Sequence, residues 1–214
     1  DVYPAPYHPD PAQGEAFLSP LAEQYDRVYV LYWGDAESDP QRRIERWLAA
    51  HAYKVDDRWY GRVRLSTYGT APLPQAPTAP LDGGFGEHIN LRGYALPDES
   101  IAPGDVLPVT LFWQTQHPIG EPYKVTVQLL DQANRLIAQH DGQPGAGFAP
   151  TTDWQPQQTV IDRHGIRLPD GLPAGSYPLV VAVYHPATGE RLPVTRDGKS
   201  TADYLVLADI EIEH

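Results

Sequence analysis

Side-chain chemistry needs acids, histidines or nucleophiles at a workable spacing. Histidine occurs eight times, with no H-x-H and no H-E-x-x-H. His8, His117 and His185 each precede proline, a context that favours extended or turn backbone over a helical ligand pair. There is no G-x-S-x-G for a nucleophile elbow. Cysteine is absent, which removes thiolate catalysis, disulfides and Cys-based metal centres. The stretch GDAESD (34–39) sets Asp35, Glu37 and Asp39 at alternate positions, as a calcium loop does. An EF-hand then requires Gly and Glu where Pro40 and Arg46 stand, so a solvated turn that caps a helix is expected. Glycoside hydrolysis needs two carboxylates about 5–10 Å apart. The available acids (Asp56, Asp57, Glu87, Asp98, Glu99, Asp153, Asp162) stand nearly all in turn contexts. The residues therefore point to no catalytic, metal or cofactor position, and the chain is expected not to be an enzyme.

Aromatics are the remaining lead, because exposed Trp and Tyr faces stack on pyranose rings. Trp33, Trp47, Trp59 and Trp113 fall on faces expected to be buried. Trp154 lies in the loop PTTDWQPQQ (150–158), and Tyr184 points away from the Tyr177, Leu179, Val181, Val183 face. These two are the candidate carbohydrate-binding residues. The competing role for each is plain packing beneath a loop.

The elements that must position these residues change character along the chain. Residues 1–70 read as a small α/β segment. SPLAEQY (19–25) offers Ser19 as N-cap and Pro20 as first helical residue, and RVYVLYW (27–33) reads as a covered strand. Ile44, Trp47, Leu48 and His51 share one face of a helix opened by Pro40, and RWYGRVRLSTY (58–68) reads as a strand with one wet face. Residues 71–86 hold a run of prolines and then GGFG, with no G-K-[ST], and read as a stiff joint with a chain bend entering a strand. From residue 87 to 214 the helical period disappears. VLPVTLFWQT (106–115), YKVTVQLL (123–130), RLIAQHD (135–141), TVIDRHGIRL (159–168), YPLVVAVY (177–184) and DYLVLADIEIE (203–213) are short strands between Gly/Pro/Asp turns. Pro103-Gly104 suits the centre of a type II turn. The fold class expected is mainly β: a C-terminal antiparallel, immunoglobulin-like β-sandwich preceded by a small α/β segment.

The net charge of −12 repels phosphate backbones, so nucleic acid is not an expected partner. The longest apolar runs are too short to span a bilayer. The start at DVYPAPYHPDP, without Met, leads us to expect a processed product or a piece of a longer protein.

The stretches INLRGYAL…IAPGDVLPVTLFWQT, VTVQLLDQANRLIAQHDGQP, PTTDWQPQQTVIDRHGIRLP and LPAGSYPLVVAVYHPATGERLPV stand in that order. Together they resemble the C-terminal β-sandwich of bacterial multi-pass membrane proteins that look like polyprenyl-phosphate-sugar-dependent glycosyltransferases of the protein-mannosyltransferase type, family 39. DRVYVLYWGD…RRIERWLAAHAYKVDDRWYGRVRLSTYG resembles the short soluble α/β segment that follows the last membrane helix of the same proteins. The catalytic acids of that family lie in its membrane part, so no catalytic position carries over. The resemblance implies an extracytoplasmic, accessory role: holding a glycan, a glycosylation acceptor or a neighbouring protein. The alternatives are an assembly module with no glycan affinity and, ranked last, a free-standing glycoside hydrolase.

Overall fold

A computed structural model describes residues 11–34, 39–196 and 199–213. The chain divides into two compact units between Leu73 and Pro74.

In the first unit, helix α1 (Pro11–Gln24) precedes strand β1 (Arg27–Tyr32), helix α2 (Arg43–His51) and strands β2 (Tyr53–Tyr60) and β3 (Val63–Gly69). Helix α1 opens at Pro11 and carries Pro20 inside it, so Ser19-Pro20 is not the helix start. The missing N–H of Pro20 costs one bond that the rest of the helix absorbs. Helix α2 starts at Arg43 rather than at Pro40, with Arg42 in a left-handed conformation as its N-cap. Asp39 serves the helix end from outside, its carboxylate accepting from Ile44 N at 3.1 Å, and residues 35–38 of the GDAESD stretch lie outside the described residues. The sheet runs β1-β3-β2 with both pairings antiparallel. Leu48 of α2 and Ala52, which follows the helix, bury against Tyr68, with Val30, Ile44 and Trp47 around them.

The stretch 58–68 is a hairpin, not one strand. Gly61 at φ +63 makes the turn between Tyr60 and Val63. That reversal sets Trp59 opposite Arg64 and puts it on the other face from Val63. Trp59 is therefore 66% exposed, and Trp33, just beyond the end of β1, is 80% exposed. Both were expected in the core. Trp47 is half-buried, and Trp113 is fully buried as expected.

The second unit is the expected β-sandwich. One sheet contains β4 (Ala79–Phe85), β5 (Ile89–Ala95), β6 (Val106–Thr115), β9 (Val160–Arg167), β11 (Val194–Arg196) and β12 (Lys199–Ala202), in the order β9-β6-β5-β4-β11-β12. The other contains β7 (Lys124–Leu130), β8 (Leu136–Gly142), β10 (Gly175–Tyr184) and β13 (Leu205–Ile212), in the order β13-β10-β7-β8. All pairings between these strands are antiparallel. Val125, Val127 and Leu129 of one sheet meet Leu107, Val109, Leu111 and Trp113 of the other in a single core. The Ala102–Asp105 turn forms as read: Asp105 N donates to Ala102 O at 3.2 Å, and Gly104 takes φ +85.

The segment 71–86 is not all joint, because its second half is β4. Strand β4 accommodates Pro80 at a bulge and pairs with β5 and β11. At Gly83 a Cβ would come within 2.6 Å of Leu205 Cδ2, so any larger residue there needs the Leu205 side chain to shift.

Candidate functional site

The two aromatic candidates do not form a sugar platform. Trp154 is 3% exposed, its indole Nε1 donates to Ala149 O at 2.9 Å, and its ring lies 6.3 Å from that of Trp113. A ring enclosed in this way has no face to offer a pyranose. The polar neighbours of Trp154 suggest an exposed loop, whereas this loop folds over the core and Trp154 is part of it. Tyr184 ends β10 half-buried, in register with Lys124. Burial and the hydrogen-bonded Asp141 carboxylate push its hydroxyl pKa up. Tyr184 does not line the groove described below.

The strap over Trp154 consists of two 3₁₀ turns, Gly145–Gly147 and Thr151–Asp153. It is anchored at two points. Gly145 N donates to Asp162 Oδ1 at 2.9 Å. Thr151, 1% exposed, accepts from Tyr123 N and donates to Glu121 O, each at 2.9 Å. The second anchor fixes the chain that forms one wall of a groove at the end of the sandwich.

That groove encloses about 470 Å³, within the size range of small-ligand sites. Ile119, Pro118 and Leu192 supply apolar surface, and Glu87, His88, Glu121 and Tyr123 supply polar groups. His88 and His117 meet edge to face, with centroids 5.7 Å apart. Tyr123 packs against His185 at 6.1 Å, and His185 Nε2 lies 3.6 Å from Glu121 Oε2. Carboxylates accept from hydroxyls, imidazole edges do either, and the aromatic and aliphatic surfaces suit the C–H face of a sugar ring.

Histidines that look dispersed in sequence thus converge. A second pair is buried where β8 of one sheet meets β9 of the other. His140 Nδ1 and His164 Nδ1 are 2.8 Å apart, and His164 Nε2 is 2.8 Å from Asp162 Oδ2, which also accepts from Trp113 Nε1 at 3.3 Å. Asp162 lies inside a strand, as the reading of TVIDRHGIRL (159–168) expects, and not in a turn, where most of the acids are expected. Burial raises the Asp162 carboxyl pKa, but His164, the Gly145 N–H and His140 more than offset it, so the net shift is downward. An ionised Asp162 only accepts, so His164 Nε2 donates to it and a hydrogen bond joins the two Nδ1 atoms of His164 and His140. Two protonated rings would oppose N–H to N–H, so the bridge holds one shared proton and not two. Asp162 and His164 are each 1% exposed. The array is a tie between sheets, enclosed from substrate.

Among the described residues no group of three or more His, Asp or Glu side chains is arranged to hold a metal ion. No described helix is long and apolar enough to cross a membrane. No protein-family model matches the chain, and no curated protein matches it in sequence. Among solved structures it is similar to the C-terminal domain of wzt, at 9% identity and TM-score 0.40, covering 65% of this chain and 83% of that one. It is also similar to a Niemann-Pick type C2 protein from Japanese carpenter ant, at 9% identity and TM-score 0.39, covering 62% of this chain and 98% of that one.

Proposed function

We propose that this chain is a non-catalytic, extracytoplasmic accessory module of a membrane glycosyltransferase-like protein, and that the groove at the end of its sandwich takes a glycan or a glycosylated acceptor. The groove carries the reading: a volume of about 470 Å³ lined by the Glu87 and Glu121 carboxylates, the His88 imidazole and Tyr123 together with the apolar Pro118, Ile119 and Leu192. Such a lining offers hydrogen-bond partners for hydroxyls and a surface for a ring, but no cation to attract an anionic ligand. The sequence resemblance supplies the context of membrane glycosyl transfer. The enclosed Asp162–His164–His140 array supports a structural rather than catalytic use of the acids and histidines in this unit.

Glycan-array binding by the chain, by Tyr123→Ala and by Glu121→Gln tests it. Expected is binding by the parent chain that both substitutions lower about tenfold, the loss of one good contact. No binding by the parent chain, or binding that neither substitution changes, rejects the groove as a glycan site and leaves the assembly-module reading.

A further inference from the structure

Most of the exposed large apolar side chains among the described residues belong to the first unit. Tyr25, Tyr29, Leu31, Trp33, Trp59 and Tyr60 are all large, apolar and exposed. Four of them gather at one end of the β1-β3-β2 sheet: Leu31 (69%), Trp33 (80%), Trp59 (66%) and Tyr60 (60%). The register explains the gathering. Tyr32 lies opposite Arg64 and Tyr60 opposite Val63, so the last residues of β1 and β2 share the end closed by the Gly61-Arg62 turn.

The same register distributes the side chains over both faces. Leu31 lies opposite Leu65, and Leu65 opposite Arg58; Tyr60, two residues beyond Arg58, shares their face. Trp59 lies with Arg64 and Tyr32 on the other, and the Arg64 guanidinium sits 5.9 Å from its ring centroid. A rigid protein partner covers one face of a sheet. Apolar groups on both faces of one end are covered together by a fluid that closes around that end. Trp and Tyr are the residues that partition into the interfacial zone of a bilayer, with ring buried and polar edge wet.

Charge selects the kind of lipid. The acids beside the tip are paired internally: Asp56 with Arg58 at 2.9 Å, Asp57 with Lys54 at 2.8 Å and Glu45 with Arg64 at 2.8 Å. Arg62 is exposed on the turn itself. The chain as a whole, at −12, is repelled by an anionic surface. We propose that this end of the first unit inserts into the headgroup region of a zwitterionic bilayer, with Trp33, Trp59 and Tyr60 as its interfacial anchors. This inference is independent of the groove.

The 214-residue chain floated with phosphatidylcholine vesicles tests it, beside Trp33→Ala/Trp59→Ala and an exposed-site control, Leu136→Ala. Expected is flotation of the parent chain and the control, with partitioning of the double variant reduced by at least about tenfold. Brominated phosphatidylcholine is expected to quench the tryptophan emission of the parent chain but not that of Trp33→Phe/Trp59→Phe. All the substituted side chains are exposed, so unchanged circular dichroism shows that folding is intact. Absence of flotation at millimolar phosphatidylcholine overturns the proposal. So does equal flotation of the double variant, or a concentration-dependent dimer of the parent chain that the double variant abolishes.

Discussion

The two units treat their tryptophans differently. In the sandwich, Phe85, Trp113 and Trp154 are enclosed, with Phe85 edge-on to Trp113 at 5.4 Å. In the first unit, Trp33, Trp59, Tyr29 and Tyr60 stand in solvent. A two-sheet body covers each sheet's inner face with the other and closes its open edge with the Gly145–Asp153 strap. Among the described residues of the first unit, the strands β1, β3 and β2 have a helix packed on one face and no second sheet of that unit against the other. Side-chain alternation states which residues share a face. Whether the face is covered depends on layers that alternation does not record.

That contrast is broken or sharpened first by the tryptophans themselves. Trp113→Ala is expected to destabilise the chain by about 4 kcal/mol and Trp154→Ala by about 3 kcal/mol, as enclosed aromatics do, whereas Trp33→Ala and Trp59→Ala each change stability by less than about 0.5 kcal/mol. Urea unfolding measures all four, and comparable losses at Trp33 and Trp154 would erase the contrast.

The next effect belongs to buried charge in the first unit. Glu45 is 2% exposed and receives Arg64 in a bidentate pair at 2.8 and 2.9 Å, with Arg42 at 3.0 Å. Burial raises its carboxyl pKa, but the Arg64 and Arg42 hydrogen bonds and the Lys54 charge outweigh burial and lower it to about 2. A depressed carboxyl stabilises the fold above its unfolded pKa, and that contribution is lost as pH falls from about 4.5 towards 2. Glu45→Gln is expected to cost about 3 kcal/mol at neutral pH and to flatten the acid limb of the stability curve. An unchanged acid limb would place the stabilising acids elsewhere.

In the sandwich the corresponding group is Asp162, also shifted downward and so also a source of acid sensitivity. Asp162→Asn is expected to cost about 2 kcal/mol, because an amide cannot accept from Trp113, His164 and Gly145 as the carboxylate does. Amide exchange at Gly145 and Trp154 is expected to quicken with it, since the strap loses an anchor. Exchange unaltered at both positions would detach the strap from the buried array. The smallest effect is that of Tyr184→Phe, which removes one partly exposed hydrogen bond and is expected to cost less than about 1 kcal/mol in thermal melts.

The sandwich was legible because short apolar strands recur between Gly, Pro and Asp turns, with apolar residues at every second position in strands such as Lys124–Leu130. Strand β4 was not legible, because Pro80, Gly83 and Gly84 are the residues that also mark joints, and only the close approach of Leu205 shows why glycine stands there. Strands β11 and β12 are too short to show a period. The groove was out of reach for a different reason: it joins positions near 87, 120 and 192 that only the fold brings together. His140 and His164 are likewise 24 residues apart with a strap between them. One signal was present and missed, Gly61 in mid-pattern, which turns the chain and reverses the face of Trp59.

Acrylamide quenching of tryptophan emission asks most directly which unit shows its aromatics. The account predicts a readily quenched fraction in the parent chain that disappears in Trp33→Phe/Trp59→Phe and persists in Trp154→Phe. A quenched fraction that survives the double substitution and vanishes with Trp154→Phe would contradict it.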